Sequence, residues 1–181
     1  MKKLIFYSFI FLLFFSGGSK SPEKMYKPIY VTDAESKTVS YKSPREMKDQ
    51  GKIYIIGNYI FIGDVNKGVH VIDNANPESP QKIGFIQIYG NHDIAIKDNV
   101  LYADNFSDFI AVDISNFEQP VVTKRVKDVY NFETMMYPPN VPNHTYFECV
   151  DPGKGIVVGW EEAELDNPEC YTNGNLNGMW D

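Results

Sequence analysis

The stretches GNYIFIGD at residues 57–64 and KDNVLYAD at residues 97–104 repeat one pattern at a spacing of 40 residues. The strand VHVID at residues 69–73 recurs in the same way as FIAVD at residues 109–113. A unit of about 40 to 45 residues with four short strands is typical of one blade of a β-propeller. The repeat therefore predicts an all-β fold, a propeller-like array of antiparallel blades.

The strand pattern inside each repeat agrees with this interpretation. Short β-rich runs, separated by turn residues such as Gly57-Asn58, are predicted at residues 53–56, 59–62, 68–73 and 82–88, and again at residues 94–96, 100–103, 109–113 and 121–123. After these two repeats a proline-rich insertion at residues 131–142 breaks the register. A hairpin of residues 145–150 and 155–160 is predicted to follow. The length allows three to four blades, so we expect an incomplete propeller that either continues in a longer protein or dimerises.

The N-terminal residues have the layout of a secretory signal peptide. A basic start is followed by a mainly apolar run at residues 4–15 and by small residues at 16–18. As a helix, this run rises about 18 Å, which is short of a hydrocarbon core of about 30 Å, so a membrane anchor is the lesser alternative. We expect four parts: a signal peptide (1–18), a polar tether with the first partial strands (19–50), the repeat domain (51–171) and a flexible tail (172–181).

Gly18 raises a question about anchoring. A cysteine at this place would be typical of a bacterial lipoprotein signal, but glycine has no thiol that could be acylated. Either the protein is secreted in soluble form, or Gly18 replaces a cysteine that relatives carry. The sequence leaves both alternatives open.

The charge balance excludes one class of partner. Removal of residues 1–18 would leave 15 basic against 24 acidic residues, a net charge near −9. Such a field repels phosphate backbones, and no basic stripe overrides it, so nucleic acid is not an expected partner.

The two cysteines, Cys149 and Cys170, lie in the C-terminal part. In an oxidising compartment, an even pair predicts one disulfide that closes a loop of about 20 residues. Two free thiols are the alternative. A metal site built on this pair is not expected, because no further cysteine or paired histidine lies nearby in the sequence.

Residues 68–77 and 109–116 resemble the LVIVD repeat, an apolar strand that ends in aspartate and continues into a short turn with Asn and Pro. The resemblance covers residues 52–125 well and 145–160 loosely. It implies a bacterial cell-surface protein or lipoprotein with a propeller-like fold, located in the periplasm, at the outer membrane or at the cell surface. It implies no catalytic residues. Asp73 and Asp113 would then have a structural role, as acceptors for the N–H groups of the following turn.

The most site-like tetrapeptide is Gly-Asn-His-Asp at residues 90–93. His92 and Asp93, together with Asp104, are candidates for a metal or acid–base site on the blade-top loops. The oxygen-rich turns at residues 64–66 and 104–108 are candidates for Ca²⁺, although neither has the pattern of an EF-hand loop. Apart from this, no cofactor is expected.

The leading functional hypothesis is a non-enzymatic binding or scaffold role. No nucleophile elbow, Cys–His pair or phosphate-binding loop appears in the sequence. The proposed binding surface combines an apolar loop with nearby aromatic residues: Met135, Met136, Tyr137, Tyr146 and Trp160. The expected partner is a protein or a polysaccharide of the envelope, and self-association through open sheet edges is a further option. The alternative function is a metal-dependent or hydrolytic site around His92 and Asp93.

Overall fold

The computed structural model describes residues 24–131 and 135–173. The predicted signal peptide, Gly18, the start of the tether and residues 174–181 of the predicted tail lie outside the described residues. The strands are β1 Met25–Val31, β2 Ser40–Lys42, β3 Gln50–Ile56, β4 Tyr59–Asp64, β5 Gly68–Asp73, β6 Gln81–Gln87, β7 Ile94–Lys97, β8 Val100–Asn105, β9 Asp108–Asp113, β10 Val121–Val126, β11 Tyr146–Phe147, β12 Ile156–Ala163 and β13 Cys170–Tyr171. The described residues also form one short α-helix, α1 (Asp33–Ser36), and a 3₁₀ turn at Pro152–Lys154.

The two repeats form two antiparallel blades. Strands β3 to β6 pair in chain order in the first blade, and β7 to β10 pair in the same order in the second. The first blade gains a fifth strand, β2, on the outer side of β6. The predicted all-β, propeller-like array is therefore confirmed, and within the described residues it does not close on itself.

The register of the repeat differs by one residue from the spacing of 40 read from the sequence. The β3–β4 turn is Gly57-Asn58, and its counterpart between β7 and β8 is Asp98-Asn99, which lies 41 residues later. Strands β4 and β8 keep this spacing of 41, whereas β5 and β9 end at Asp73 and Asp113, 40 apart. The difference arises because the β4–β5 connection has three residues and the β8–β9 turn has two. The gap-free alignment of residues 57–64 with 97–104 is thus wrong by one position.

One apolar core joins the two blades. It is formed by buried residues of both repeats, listed here: Phe61, Val69, Val71, Ile86, Ile88, Ile94, Leu101, Ala103, Ile110, Val112 and Ile114. Residues paired directly across neighbouring strands share one face of a sheet, so Phe61 with Val71 mark one face of the first blade. Leu101 with Val112 mark one face of the second. Burial of these two faces against each other is the main apolar contact between the repeats.

The third sheet is not the hairpin that the sequence predicts. Its order is β12-β1-β11-β13, so the N-terminal strand β1 lies between the two predicted hairpin partners. Strand β1 pairs antiparallel with β12 and parallel with β11. This long-range pairing places residues from 25 onward inside the folded unit, although the sequence assigns residues 19–50 mostly to a tether.

Local turn chemistry follows the sequence closely. The Asp73 carboxylate accepts the N–H of Ala75 at 2.8 Å, and the Asp113 carboxylate accepts the N–H of Ser115 at 2.8 Å. Both aspartates therefore have the structural role that the repeat predicts. The short helix α1 begins after Thr32, where Thr32 and Glu35 make a capping box.

Candidate functional site

The loop at residues 89–93 carries the site-like tetrapeptide and folds around Asp104. The Asp104 carboxylate accepts the N–H groups of His92 at 2.9 Å and Asp93 at 2.8 Å. It also accepts the side-chain amide of Asn91 at 2.9 Å, and Asn91 is almost fully buried. The structure thus brings His92, Asp93 and Asp104 together, but the carboxylate of Asp104 holds the loop backbone.

The side chains of His92 and Asp93 connect the two repeats. The Nε2 atom of His92 lies 2.8 Å from Oδ1 of Asn66, in the β4–β5 turn of the first repeat. Oδ2 of Asp93 accepts a hydrogen bond from Nζ of Lys52 on β3 at 2.6 Å. These contacts hold the connection between the two blades in place. They do not direct the side chains of His92, Asp93 and Asp104 toward one common metal position.

The described residues include no group of three or more His, Cys, Asp or Glu side chains placed to hold a metal ion. In the two oxygen-rich turns, Asp64 accepts the N–H groups of Lys48 and Asp49, and Asp108 pairs with Arg125 at 2.7 Å. A calcium ion needs six to eight oxygen ligands in a small volume. Metal binding, with Ca²⁺ or another ion, therefore stays a prediction that depends on rearrangement of these contacts.

The sequence analysis missed a buried, hydrogen-bonded histidine–aspartate pair in the first repeat. His70 and Asp64 are both fully buried, and Nε2 of His70 lies 3.1 Å from Oδ2 of Asp64. Burial lowers the pKa of His70, and the hydrogen bond to Asp64 only partly offsets this effect. Burial raises the pKa of Asp64, but hydrogen bonds from the Asp49 N–H, from His70 and from the Lys48 N–H outweigh it, so the pKa of Asp64 is lowered. The pair is therefore a neutral imidazole beside a carboxylate.

A groove of about 590 Å³ lies on the outer side of the second repeat. Tyr102 and Phe109 form its aromatic floor, with ring centroids 6.1 Å apart and nearly parallel planes. Tyr130, Lys52 and Asp93 line its edges. Tyr102 and Phe109 alternate with buried residues along their strands. This alternation predicts a strand, but it does not indicate that the two rings form the floor of a groove.

The predicted binding surface around the third sheet is divided in two. Tyr146 and Phe147 are neighbours on β11 and so point to opposite faces. Trp160 packs on Phe147, with ring centroids 5.4 Å apart, and therefore lies on the face away from Tyr146. Its indole N–H is buried without a hydrogen-bond partner among the described residues. The five residues thus do not form the single surface that the sequence predicts.

The exposed half of that surface has other members. Tyr146 contacts Tyr171 at 5.9 Å between ring centroids, and Tyr171 stacks on His144 at 6.1 Å. Met136 is half exposed, while Met135 and Tyr137 are partly covered. Tyr171 could have been found from the sequence only through its pairing with Tyr146 across β11 and β13, which local patterns do not reveal.

The predicted disulfide is present. Cys149 and Cys170 are bonded, with Cα atoms 5.3 Å apart. The bond ties β13 to the residues that follow β11 and so fastens the edge of the third sheet. Within the described residues, no helix has the length and hydrophobicity needed to cross a membrane.

Comparison with protein families identifies both blades. The model of the LVIVD repeat matches residues 49–87 and 90–128. The chain contains two LVIVD repeats. The two matches start 41 residues apart, as do the turns of the structure, and each covers the four consecutive strands of one repeat. A search of curated proteins and a search of solved structures both gave no match.

Proposed function

We propose that this LVIVD-repeat protein is an exported bacterial envelope protein with a non-enzymatic binding or scaffold role. One observation carries the proposal. The carboxylates of Asp64, Asp73, Asp104 and Asp113 accept hydrogen bonds from backbone N–H groups of loops and turns. Apolar side chains stay exposed on both outer flanks of the blade pair, at Ile55 in the first blade and Val126 in the second. Groups held in this way position a rigid surface; they are poorly placed to transfer protons to a substrate.

The exposed surfaces favour recognition by contact. The groove over the second repeat has a floor formed by Tyr102 and Phe109 and a charged edge at Lys52 and Asp93. Aromatic floors with a few polar groups at the rim suit a protein segment or a sugar ring, both of which stack on flat apolar surface. A protein or polysaccharide of the envelope is therefore the proposed partner.

Two features support export. Residues 1–18 have the layout of a signal peptide, and the Cys149–Cys170 disulfide is of the kind that persists in oxidising compartments. The test is to express the full chain with a C-terminal tag in a bacterial host and to fractionate the cells. We expect the tag in the envelope or the medium, and we expect the double variant Leu12→Arg/Leu13→Arg in the cytosol. Cytosolic wild-type protein with free thiols would contradict export.

The binding role is tested with the chain as the host processes it. Isolated outer membranes and cell-wall sacculi serve as probes in a sedimentation assay. We expect the protein to sediment with one of them and Tyr102→Ala to weaken this binding. Tyr41→Phe is the control, because the Tyr41 hydroxyl donates to the Ile83 carbonyl oxygen within the first blade and does not line the groove. Turnover of envelope polysaccharide that is lost in His92→Ala would instead favour the hydrolytic alternative.

A further inference from the structure

We propose that the two outer flanks of the blade pair bind each other in a second copy of this chain, head to tail. The proposal rests on the binding role above and names the partner of the same surfaces. Each blade has two faces. The A face carries Phe61 in the first blade and its equivalent Tyr102 in the second, and the B face carries Ile60 and its equivalent Leu101. The A face of the first blade contains Phe61, Val69, Val71 and Ile86, and the B face of the second blade contains Ile94, Leu101, Ile110 and Val112. These two faces pack together to form the core.

The B face of the first blade has no blade against it in the described structure. It presents five isoleucines, which pair across neighbouring strands: Ile53, Ile55, Ile60, Ile62 and Ile72. Their counterparts in the second blade, at the spacing of 41 or 40 residues, are Ile94, Ile96, Leu101, Ala103 and Val112. Ile94 is 3% exposed, whereas Ile53 is 50% and Ile55 is 67% exposed. The part of the B face that carries Ile53 and Ile55 is therefore open in the first repeat, whereas its equivalent is buried in the second.

The A face of the second blade is open in the same sense, and it forms the floor of the groove. Tyr102, Phe109, Ala111 and Val126 occupy the positions that Phe61, Val69, Val71 and Ile86 occupy in the first blade. Ile86 is 0% exposed, but Val126 is 45% exposed. Side chains that are equivalent to core residues thus line a surface on which the described part of the chain places no further blade.

The chain already forms one contact between an A face and a B face, and this contact shows what fits the two open faces. A segment at residues 43–49 covers the outer part of the open B face, where Arg45 lies 4.8 Å from the ring of Phe85. The five isoleucines remain for an incoming blade. When two copies associate in this way, both open faces of each chain are buried. The two blades of each chain then form a closed ring of four blades, which is the smallest number typical of propellers. The contact would be made by sheet faces, not by the sheet edges that the sequence analysis considered.

The first measurement is the mass in solution of the full chain, as processed by its host, by light scattering at several concentrations. We expect a dimer. A wild-type protein that stays monomeric at all concentrations would overturn the proposal. If such a monomer still binds membranes or sacculi, the binding role stands and only the self-association fails.

Variants then test which faces meet. Ile55→Asp alters the open B face and Val126→Asp alters the open A face; each should weaken dimerisation at least about tenfold, because a carboxylate would be buried in apolar surroundings. Ile53→Asp serves as a second B-face variant. Ile29→Asp is the matched control, because Ile29 lies on the third sheet and is 40% exposed. Circular dichroism checks that every variant is folded.

A mixture of the two variants distinguishes head-to-tail contact from other modes. The Ile55→Asp chain keeps an intact A face, and the Val126→Asp chain keeps an intact B face. Mixed together, they should form a complex that neither forms alone, through the single intact contact. Failure of the mixture to associate, or dimers that persist in both variants alone, would contradict the head-to-tail arrangement.

Discussion

Ile55 and Ile96 occupy the same position on the first strand of the two blades, yet Ile96 packs against the shared core while Ile55 is 67% exposed. The repeat gives both residues the same strand and the same face. Their different burial follows from their neighbours, because the second blade has the first blade beside it, whereas the described residues place no blade on that side of the first. The exposed flanks of this protein are therefore core-type surfaces, which is the basis of the proposed self-association.

His70 should make stability depend on pH. The pKa of His70 is lowered in the folded protein, so on acidification the unfolded chain binds a proton at a higher pH than the native state does. Stability is then full above the unfolded pKa of about 6.5 and falls as the pH decreases toward the folded pKa. His70→Ile, which copies Ile110 of the second repeat, should flatten this slope between about pH 7 and pH 5. Urea unfolding at several pH values measures how the free energy of unfolding changes with pH. An unchanged slope in His70→Ile would show that other groups cause the pH dependence.

Gly68 should resist substitution. Its φ is +135°, and a Cβ atom there would overlap the carbonyl oxygen of Ile86 and approach the Ile88 nitrogen to 2.7 Å. Gly68→Ala should therefore lower the free energy of unfolding by at least about 2 kcal/mol. Gly57→Ala is the matched control, since Gly57 also has positive φ but open space around it, and it should cost about 1 kcal/mol. Equal losses in the two variants would contradict the predicted clash.

The disulfide should stabilise the third sheet in particular. Its cysteines are 21 residues apart, and closing such a loop in the unfolded chain is worth about 3 kcal/mol. We expect Cys149→Ser/Cys170→Ser to speed amide hydrogen exchange in β11 and β13, while β5 and β9 stay protected by the core between the blades. Uniform loss of protection in all three sheets would mean that they unfold as one unit.

Asp104 distinguishes a structural loop from a metal centre. In Asp104→Ala the N–H groups of His92 and Asp93 lose their acceptor, and we expect a loss of about 1 kcal/mol in stability. Asp104→Asn keeps one acceptor oxygen and should lose less. Metal analysis of the wild type and Asp104→Asn, after dialysis against Ca²⁺ or Zn²⁺, checks the alternative. Stoichiometric metal that disappears in Asp104→Asn would support the metal site and contradict the purely structural role.

Part of the candidate site followed from local sequence. The tetrapeptide at residues 90–93 is where the loop folds around Asp104, so His92, Asp93 and Asp104 lie close together, while their metal or acid–base role stays a prediction. The sequence could not show that Asn66 and Lys52 would meet His92 and Asp93, because these contacts join residues from different repeats. The buried pair of His70 and Asp64 was missed for a similar reason. It forms across a hairpin whose register depends on a three-residue connection.

The sequence by itself predicted the strands of the two repeats, the turns after Asp73 and Asp113, the repeat family and the pairing of the two cysteines. These depend on residue type, on alternation of apolar side chains and on hydrogen bonds that span only two residues. Only the tertiary structure decided that β1 separates β11 from β12, that Trp160 and Tyr146 lie on opposite faces, and that one blade leaves its isoleucines open. The physical reason is that strand pairing between distant segments, and the burial it produces, depends on which surfaces compete for contact, and a local pattern carries no record of that competition.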